Sequence, residues 1–256
     1  MRIVVPIKQV PDLVEELELS SDGTDVDREF LKFVVNEFDD HALEEALLVK
    51  EAGDAEVVVV GFDEPDIDQA LYTAIAKGAD RAVKLTGAGD GPIDGHARAA
   101  VLAGWLAGQD ADLVLTGVQA ADDLDGQLVP LLAARMGLPH ASVVVSVDAK
   151  EGMARVRQEF SGGASADLEI KLPAVIGVQA ARQAPRYASI TRIRQVMQTG
   201  GIEEAAATSP SGGSSLTVRR LYPPEQTDHA EMLEGSPAEV ADRIIELVRA
   251  KGLLNN

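Results

Sequence analysis

Three aspartates stand where an apolar run gives way to an apolar-faced helical pattern in "LVLTGVQAADDLDGQLVPLLAARMG", residues 113 to 137. Two chemistries are open to Asp122, Asp123 and Asp125. As ligand groups, one carboxylate would accept from ribose hydroxyls while the backbone N–H groups of Gly126, Gln127 and Leu128, at a helix start, hold an anion; a glycine leaves that approach clear. As structural groups, the aspartates would cap the helix and oppose its dipole. Residue types alone leave both open. Three carboxylates also suit Mg²⁺, although hard cations usually recruit ligands from more than one segment. The segment has neither the G-x-G-x-x-G spacing nor the lysine of G-x-x-x-x-G-K-[ST], so neither common phosphate fingerprint applies.

Other reactive residue types are scattered. His41, His96, His140 and His229 have no ligand spacing and read as surface or helix-start residues. Ser161 and Ser165 lack the G-x-S-x-G setting of a hydrolase nucleophile. Trp105 sits among Ala and Leu on a helical apolar face and reads as core. No metal site and no catalytic residue are expected.

The elements that must position the acidic junction are short β-branched runs alternating with amphipathic segments. "RIVVPI", "EVVVVGF", "RAVKL" and "DLVLTG" read as strands. The continuous apolar run of "EVVVVGF" is that of a strand buried on both faces. Helices are expected at "DDHALEEALLVKEAG", with Asp39 or Asp40 as N-cap and Gly53 as stop, and at "DIDQALYTAIAKG", "DGHARAAVLAGWLAG" and "GQLVPLLAARMG". Strand alternating with helix implies right-handed crossovers and a parallel sheet covered on both sides. After residue 141 the runs "SVVVSV", "RVRQEF", "LEIKL" and "AVIGVQA" read as antiparallel additions to that sheet. The expected fold is therefore α/β, Rossmann-like and doubly wound, mostly parallel with antiparallel additions and a C-terminal helical arm. In such sheets ligands sit beyond the carboxyl ends of the strands, where residues 117 to 128 lie.

The expected division is a nucleotide-binding domain over 1–200 and a linker with a C-terminal arm over 201–256. "TSPSGGSS", residues 208 to 215, is a linker by composition. Beyond it, "GSPAEVADRIIELVRAKG" carries a capping box from Ser236 to Glu239, Pro237 at the first helical position, a stripe of Val240, Ile244, Leu247 and Val248, and Gly252 as stop. That helix either folds back on its own sheet or docks on another subunit.

Composition narrows the partners. The net charge of −19 repels phosphodiester backbones and anionic membrane surfaces, so neither nucleic acid nor membrane insertion is expected. The chain has no cysteine, which removes disulfides and thiolate chemistry. No stretch approaches the about 18 apolar residues of a membrane span, and "MRIVVPIKQVPD" lacks the features of a signal peptide. A cytoplasmic location is expected.

The segments "VPIKQVPD", "VNEFDDHALEEAL", "AIAKGADRAVKL", "GVQAADDLDGQLVPLLAARMGLP" and above all "LEIKLPAVIGVQAARQAPRYASITRIRQ" resemble the beta subunit of electron transfer flavoproteins. The likeness runs from Met1 to about Gln195. It implies a heterodimer with an alpha subunit that carries most contacts to a shared FAD, with AMP in the beta subunit. It further implies a carrier that takes electrons from acyl-CoA dehydrogenases of fatty acid beta-oxidation, or similar flavoenzymes, and delivers them to a quinone reductase. Carried over by motif, the adenine side is lined by Pro6, Asn36, Glu37, Phe38, Asp39 and Phe62. The phosphate side is lined by Gly117, Gln119, Ala120, Asp122, Asp123, Gly126, Gln127 and Leu128. Leu13 stands where some relatives place an aromatic residue against the flavin, and Glu159 matches a carboxylate at the subunit interface.

Two departures from the family pattern bear on function. Many AMP-binding relatives have three successive aspartates and an Asn-Gln pair, where this chain reads Asp122, Asp123, Leu124, Asp125, Gly126, Gln127. Relatives that bifurcate electrons hold a second FAD in this site and typically carry glycine at the position of Asp123. The aspartate points to AMP; the alternatives are a bifurcating subunit oxidising NADH and an adenine-nucleotide-binding regulator without flavin. In "PRYASITRIRQVMQTG", Ile190 matches the apolar anchor that enters a pocket on the dehydrogenase, with Arg186 and Tyr187 in the same docking segment. A helix-start residue facing the core is the other reading of Ile190. Mitochondrial relatives continue with a lysine-rich run, whereas this chain has Arg192 and Arg194 followed by "QVMQTGG".

Overall fold

The computed structural model describes residues 1–14, 16–29, 31–88, 94–123, 126–207, 217–223 and 232–253. Asp125, His229 and the stretch 208–215 lie outside them. The chain divides into two compact units, Met1–Arg220 and Leu221–Asn256.

The first unit opens with β1 (Arg2–Pro6), β2 (Gln9–Pro11) and β3 (Phe33–Val35), followed by α1 (Glu37–Ala52) and β4 (Glu56–Phe62). It continues with α2 (Ile67–Lys77), β5 (Arg81–Thr86), α3 (Gly95–Leu106), β6 (Leu113–Gly117) and α4 (Leu128–Met136). β7 (His140–Lys150), β8 (Met153–Glu159), β9 (Ser165–Lys171), β10 (Ala174–Val178), α5 (Ile190–Thr199) and β11 (Ile202–Ala206) complete it.

Among the described residues nine strands form one sheet in the order β11-β5-β4-β1-β6-β10-β7-β8-β9, and β2 pairs with β3 separately. Every neighbouring pair from β11 to β7 is parallel; β8 and β9 are the antiparallel pairs. The apolar strand runs follow from burial on both faces. Ile3, Val5, Val57, Val59, Leu113 and Leu115 pack with α1 and α2. Their sequence neighbours Val4, Val58, Val60 and Val114 pack on the opposite face with α3 and α4. Successive side chains of a strand point to opposite faces, so one β-branched run supplies both cores.

Four local expectations are corrected. "AVIGV" is not an antiparallel addition: β10 lies parallel between β6 and β7, fully buried, because the chain crosses back from the edge strand β9 into the sheet interior. α1 starts earlier than Asp39, with Asn36 at its N-cap, so Asp39 and Asp40 fall in its first turn. α4 starts at Leu128, with Gln127 at its N-cap. The sheet continues past residue 200, since β11 pairs with β5 and Arg81 makes a bidentate pair with Glu203 at 2.8 and 2.7 Å.

The second unit contains α6 (Pro237–Ala250). Its capping box forms as the sequence predicts: the Ser236 hydroxyl accepts from Glu239 N–H, and the Glu239 carboxylate accepts from Ser236 N–H at 2.8 Å.

Candidate functional site: a pocket at the carboxyl ends of the strands

β1, β4 and β6 are adjacent and parallel, so their carboxyl ends open together toward the N-termini of α1, α3 and α4. The pocket there is lined by Pro6, Lys8, Asn36, Asp39, Phe62 and Arg98, and by Gly117, Gln119, Ala120, Asp123 and Leu128. Nine of the residues expected from the sequence thus converge, although they are drawn from five separate segments.

Gly117 sets how close α1 approaches β6. A Cβ at Gly117 would lie 2.4 Å from Asp39 Oδ1 and 2.8 Å from both the Asp39 backbone N and Phe38 Cβ. Only glycine admits that approach. The Asp39 carboxylate uses the proximity: it accepts from Gly117 N–H at 3.0 Å and from Lys8 N–H at 3.0 Å, joining α1 to the ends of β6 and β1. Burial pushes its carboxyl up to about 7, against the opposing hydrogen bond from Lys8 N–H.

The acidic loop is held from within and from β1. Asp123 accepts from Ala120 N–H at 2.9 Å while its own N–H donates to the Ala120 carbonyl at 3.1 Å. Asn36 Nδ2 donates to the Gln119 carbonyl at 2.9 Å. Lys8 Nζ donates to Asp122 and, at 3.2 Å, to Asp123. Asp123 therefore shapes the loop as well as lining the pocket, so the two readings of the aspartates are not exclusive. Gly126 takes φ +58° beside the Gln119 side chain.

Several expected residues stand outside the lining. Glu37 is exposed, Phe38 buttresses Gly117, and Asp122, Gly126 and Gln127 flank the pocket without lining it. Leu13 is 63% exposed and does not line it either, and Glu159 ends β8 in an exposed position.

Lys8 and Arg98 are lining cations that sequence reasoning missed. The Arg98 guanidinium lies 4.6 Å from the Phe62 ring centroid and pairs with Glu64 at 2.9 Å. Its signal was a single cation within the otherwise apolar "GHARAAVLAGWL". An aromatic ring, apolar Pro6 and Leu128, two paired cations and the start of α4 thus meet at the strand ends. Among the described residues no group of three His, Asp or Glu side chains could hold a metal ion.

Arg186, Tyr187 and Ile190, expected to dock a partner, do not line that pocket. Tyr187 is 82% exposed and Ile190 60% exposed, so the first residue of α5 does not face the core. Arg186 turns inward and pairs with Glu44 at 2.9 Å and Glu51 at 2.6 Å.

The family model of the electron transfer flavoprotein domain matches residues 25–210. The electron transfer flavoprotein subunit beta of Methylophilus methylotrophus is 36% identical, covering 97% of this chain and 98% of the relative. That of Syntrophomonas wolfei is 31% identical, covering 97% and 96%. The Caffeyl-CoA reductase-Etf complex subunit CarD of Acetobacterium woodii is 30% identical, covering 99% and 100%. With the family model matching most of the chain and these relatives matching it end to end, the chain belongs to the electron transfer flavoprotein family, among its beta subunits.

Proposed function

We propose that this chain is the beta subunit of a single-flavin electron carrier: it binds AMP in the pocket at the strand ends and, with an alpha subunit, houses one FAD. The supporting observation is the convergence of Pro6, Asn36, Asp39, Phe62, Gly117 and Asp123 on one pocket. Pro6 and Phe62 would face the base, and Asp123 the ribose. Lys8 and the N–H groups at the start of α4 would hold the phosphate. FAD, when bound, supplies the redox chemistry; this chain contributes one wall of its site and the surface that meets electron donors. Electrons would come from acyl-CoA dehydrogenases or similar flavoenzymes docked at Tyr187 and Ile190, and leave to a quinone reductase.

The similarity to a subunit of a caffeyl-CoA reductase complex favours a second reading, in which the pocket takes a second FAD and the complex bifurcates electrons from NADH. Asp123 favours the first, because its carboxylate projects at the pocket where bifurcating relatives typically have glycine. The test is to co-express the chain with its alpha partner, denature the purified heterodimer and quantify the released nucleotides. One FAD and one AMP per heterodimer are expected. Two FAD and no AMP would overturn the AMP reading in favour of bifurcation.

A further inference from the structure

Residues 179–189 run from the end of β10 to the start of α5 without forming a helix or strand. Such a segment has no ladder to satisfy its N–H groups, and α1 supplies acceptors in place of one. His41, Glu44 and Glu45, spaced i, i+3 and i+4, share one helix face. His41 Nδ1 accepts from Ala181 N–H at 3.1 Å, and Glu45 from Arg182 N–H at 2.6 Å. Glu44 accepts from Arg186 N–H at 2.9 Å, from Gln183 Nε2 at 2.8 Å and from the Arg186 guanidinium. Glu45 also accepts from Val147 N–H at 2.9 Å, tying the same point to β7. Both glutamate side chains are buried, Glu44 at 1% and Glu45 at 0% exposure.

Buried carboxylates are costly unless every oxygen is engaged, and here the strap engages Glu44 while the strap and Val147 N–H together engage Glu45. The strap leaves this clamp directly into Tyr187 and Ile190. The last clamped residue, Arg186, adjoins Tyr187, and the Ser189 side chain then caps α5 by accepting from Arg192 N–H.

We propose that Glu44 and Glu45 are positioning residues for partner docking: they fix the strap in advance so that Tyr187 and Ile190 are presented in one geometry. This rests on the docking role proposed above for Ile190. A preset anchor lowers the ordering that binding must impose. Releasing it reduces the docking-competent fraction, and affinity falls by that fraction. Glu44 does not line the pocket at the strand ends, and it accepts from Gln183 and Arg186, so its effect is to appear in recognition alone.

The test uses the heterodimer as electron acceptor for an acyl-CoA dehydrogenase reduced by octanoyl-CoA. Turnover is followed against heterodimer concentration for wild type, Glu44→Gln, Ile190→Ala and the double variant. Glu44→Gln is expected to raise KM about fivefold to tenfold with kcat and flavin content unchanged, and to add nothing in the Ile190→Ala background. Full additivity of the two substitutions, or an unchanged KM for Glu44→Gln, overturns the positioning role and leaves docking through Ile190 standing. An Ile190→Ala heterodimer with wild-type KM overturns the docking role itself, and the positioning role with it. If Glu44→Gln does not yield a folded heterodimer, Glu45→Gln replaces it, loosening the strap at Arg182 without altering a residue of the docking segment. The same KM rise and the same non-additivity are then required.

Discussion

Asp39 occupies a demanding position in the pocket wall, a buried carboxylate that accepts from the backbone N–H groups of Lys8 and Gly117 and so ties α1 to the segments that follow β1 and end β6. Its carboxyl is pushed by burial to about 7 from an ordinary 3.8. Between those values the folded chain retains a proton that the unfolded chain has released. This group's contribution to stability is therefore greatest in acid and declines as pH rises toward 7. Asp39→Asn carries no titrating proton, and its amide NH₂ faces one of the two N–H donors, at a cost of about 1–3 kcal/mol. The stability gap between wild type and Asp39→Asn is expected to be widest near pH 4 and to narrow by pH 8, read from urea midpoints. A gap independent of pH would show that the carboxyl titrates normally. Sequence reading placed Asp39 at the site as a resemblance and named it an N-cap by helix grammar. Its work as a clamp depends on partners 31 and 78 residues away, which no local signal carries. Lys8 and Arg98 were missed for the same reason, since only the folded chain shows what their cations face.

At the scale of elements, the pocket depends on α1 and β6 meeting without an intervening side chain. Gly117→Ala puts a methyl against the backbone of Asp39, which cannot swing away as a flexible side chain would. The variant is expected to lose about 1–3 kcal/mol of stability and to purify with less bound nucleotide, checked by denaturation and nucleotide release. Wild-type stability with full nucleotide content would mean that α1 shifts without consequence. The strands β1, β4 and β6 were legible because runs such as "VVVV" have few alternatives to burial on both faces. β10 was read correctly as a strand but wrongly as antiparallel, because pairing depends on where the chain crosses back into the sheet. β11 was not legible at all: "IEEAA" has the weak, polar pattern of an edge strand, and it is held partly by the Arg81–Glu203 pair.

Over the whole molecule, the described residues that line the pocket at the strand ends and those of the strap 179–189 precede Arg220, while α6 belongs to the second unit. α6 has a strong N-terminal cap and an apolar stripe in which Ile244 remains exposed. A helix of that kind is suited to an apolar groove on another chain. Truncation after Arg220 is expected to weaken association with the alpha subunit by at least tenfold, about 1.4 kcal/mol, while the remaining chain keeps its thermal unfolding transition. Sedimentation of mixed subunits reads the first quantity and calorimetry the second. Undiminished association would assign α6 to its own chain. The capping box and stripe of this helix are legible because they are local, whereas what covers the stripe is not a local property.

The division after Arg220 also has an evolutionary consequence. Among the described residues those that line the pocket and hold the strap all precede it, so substitutions in the terminal arm change none of them. If the arm docks on the alpha subunit as predicted, exchanging it between relatives would be a route to a new choice of subunit with the pocket at the strand ends left intact.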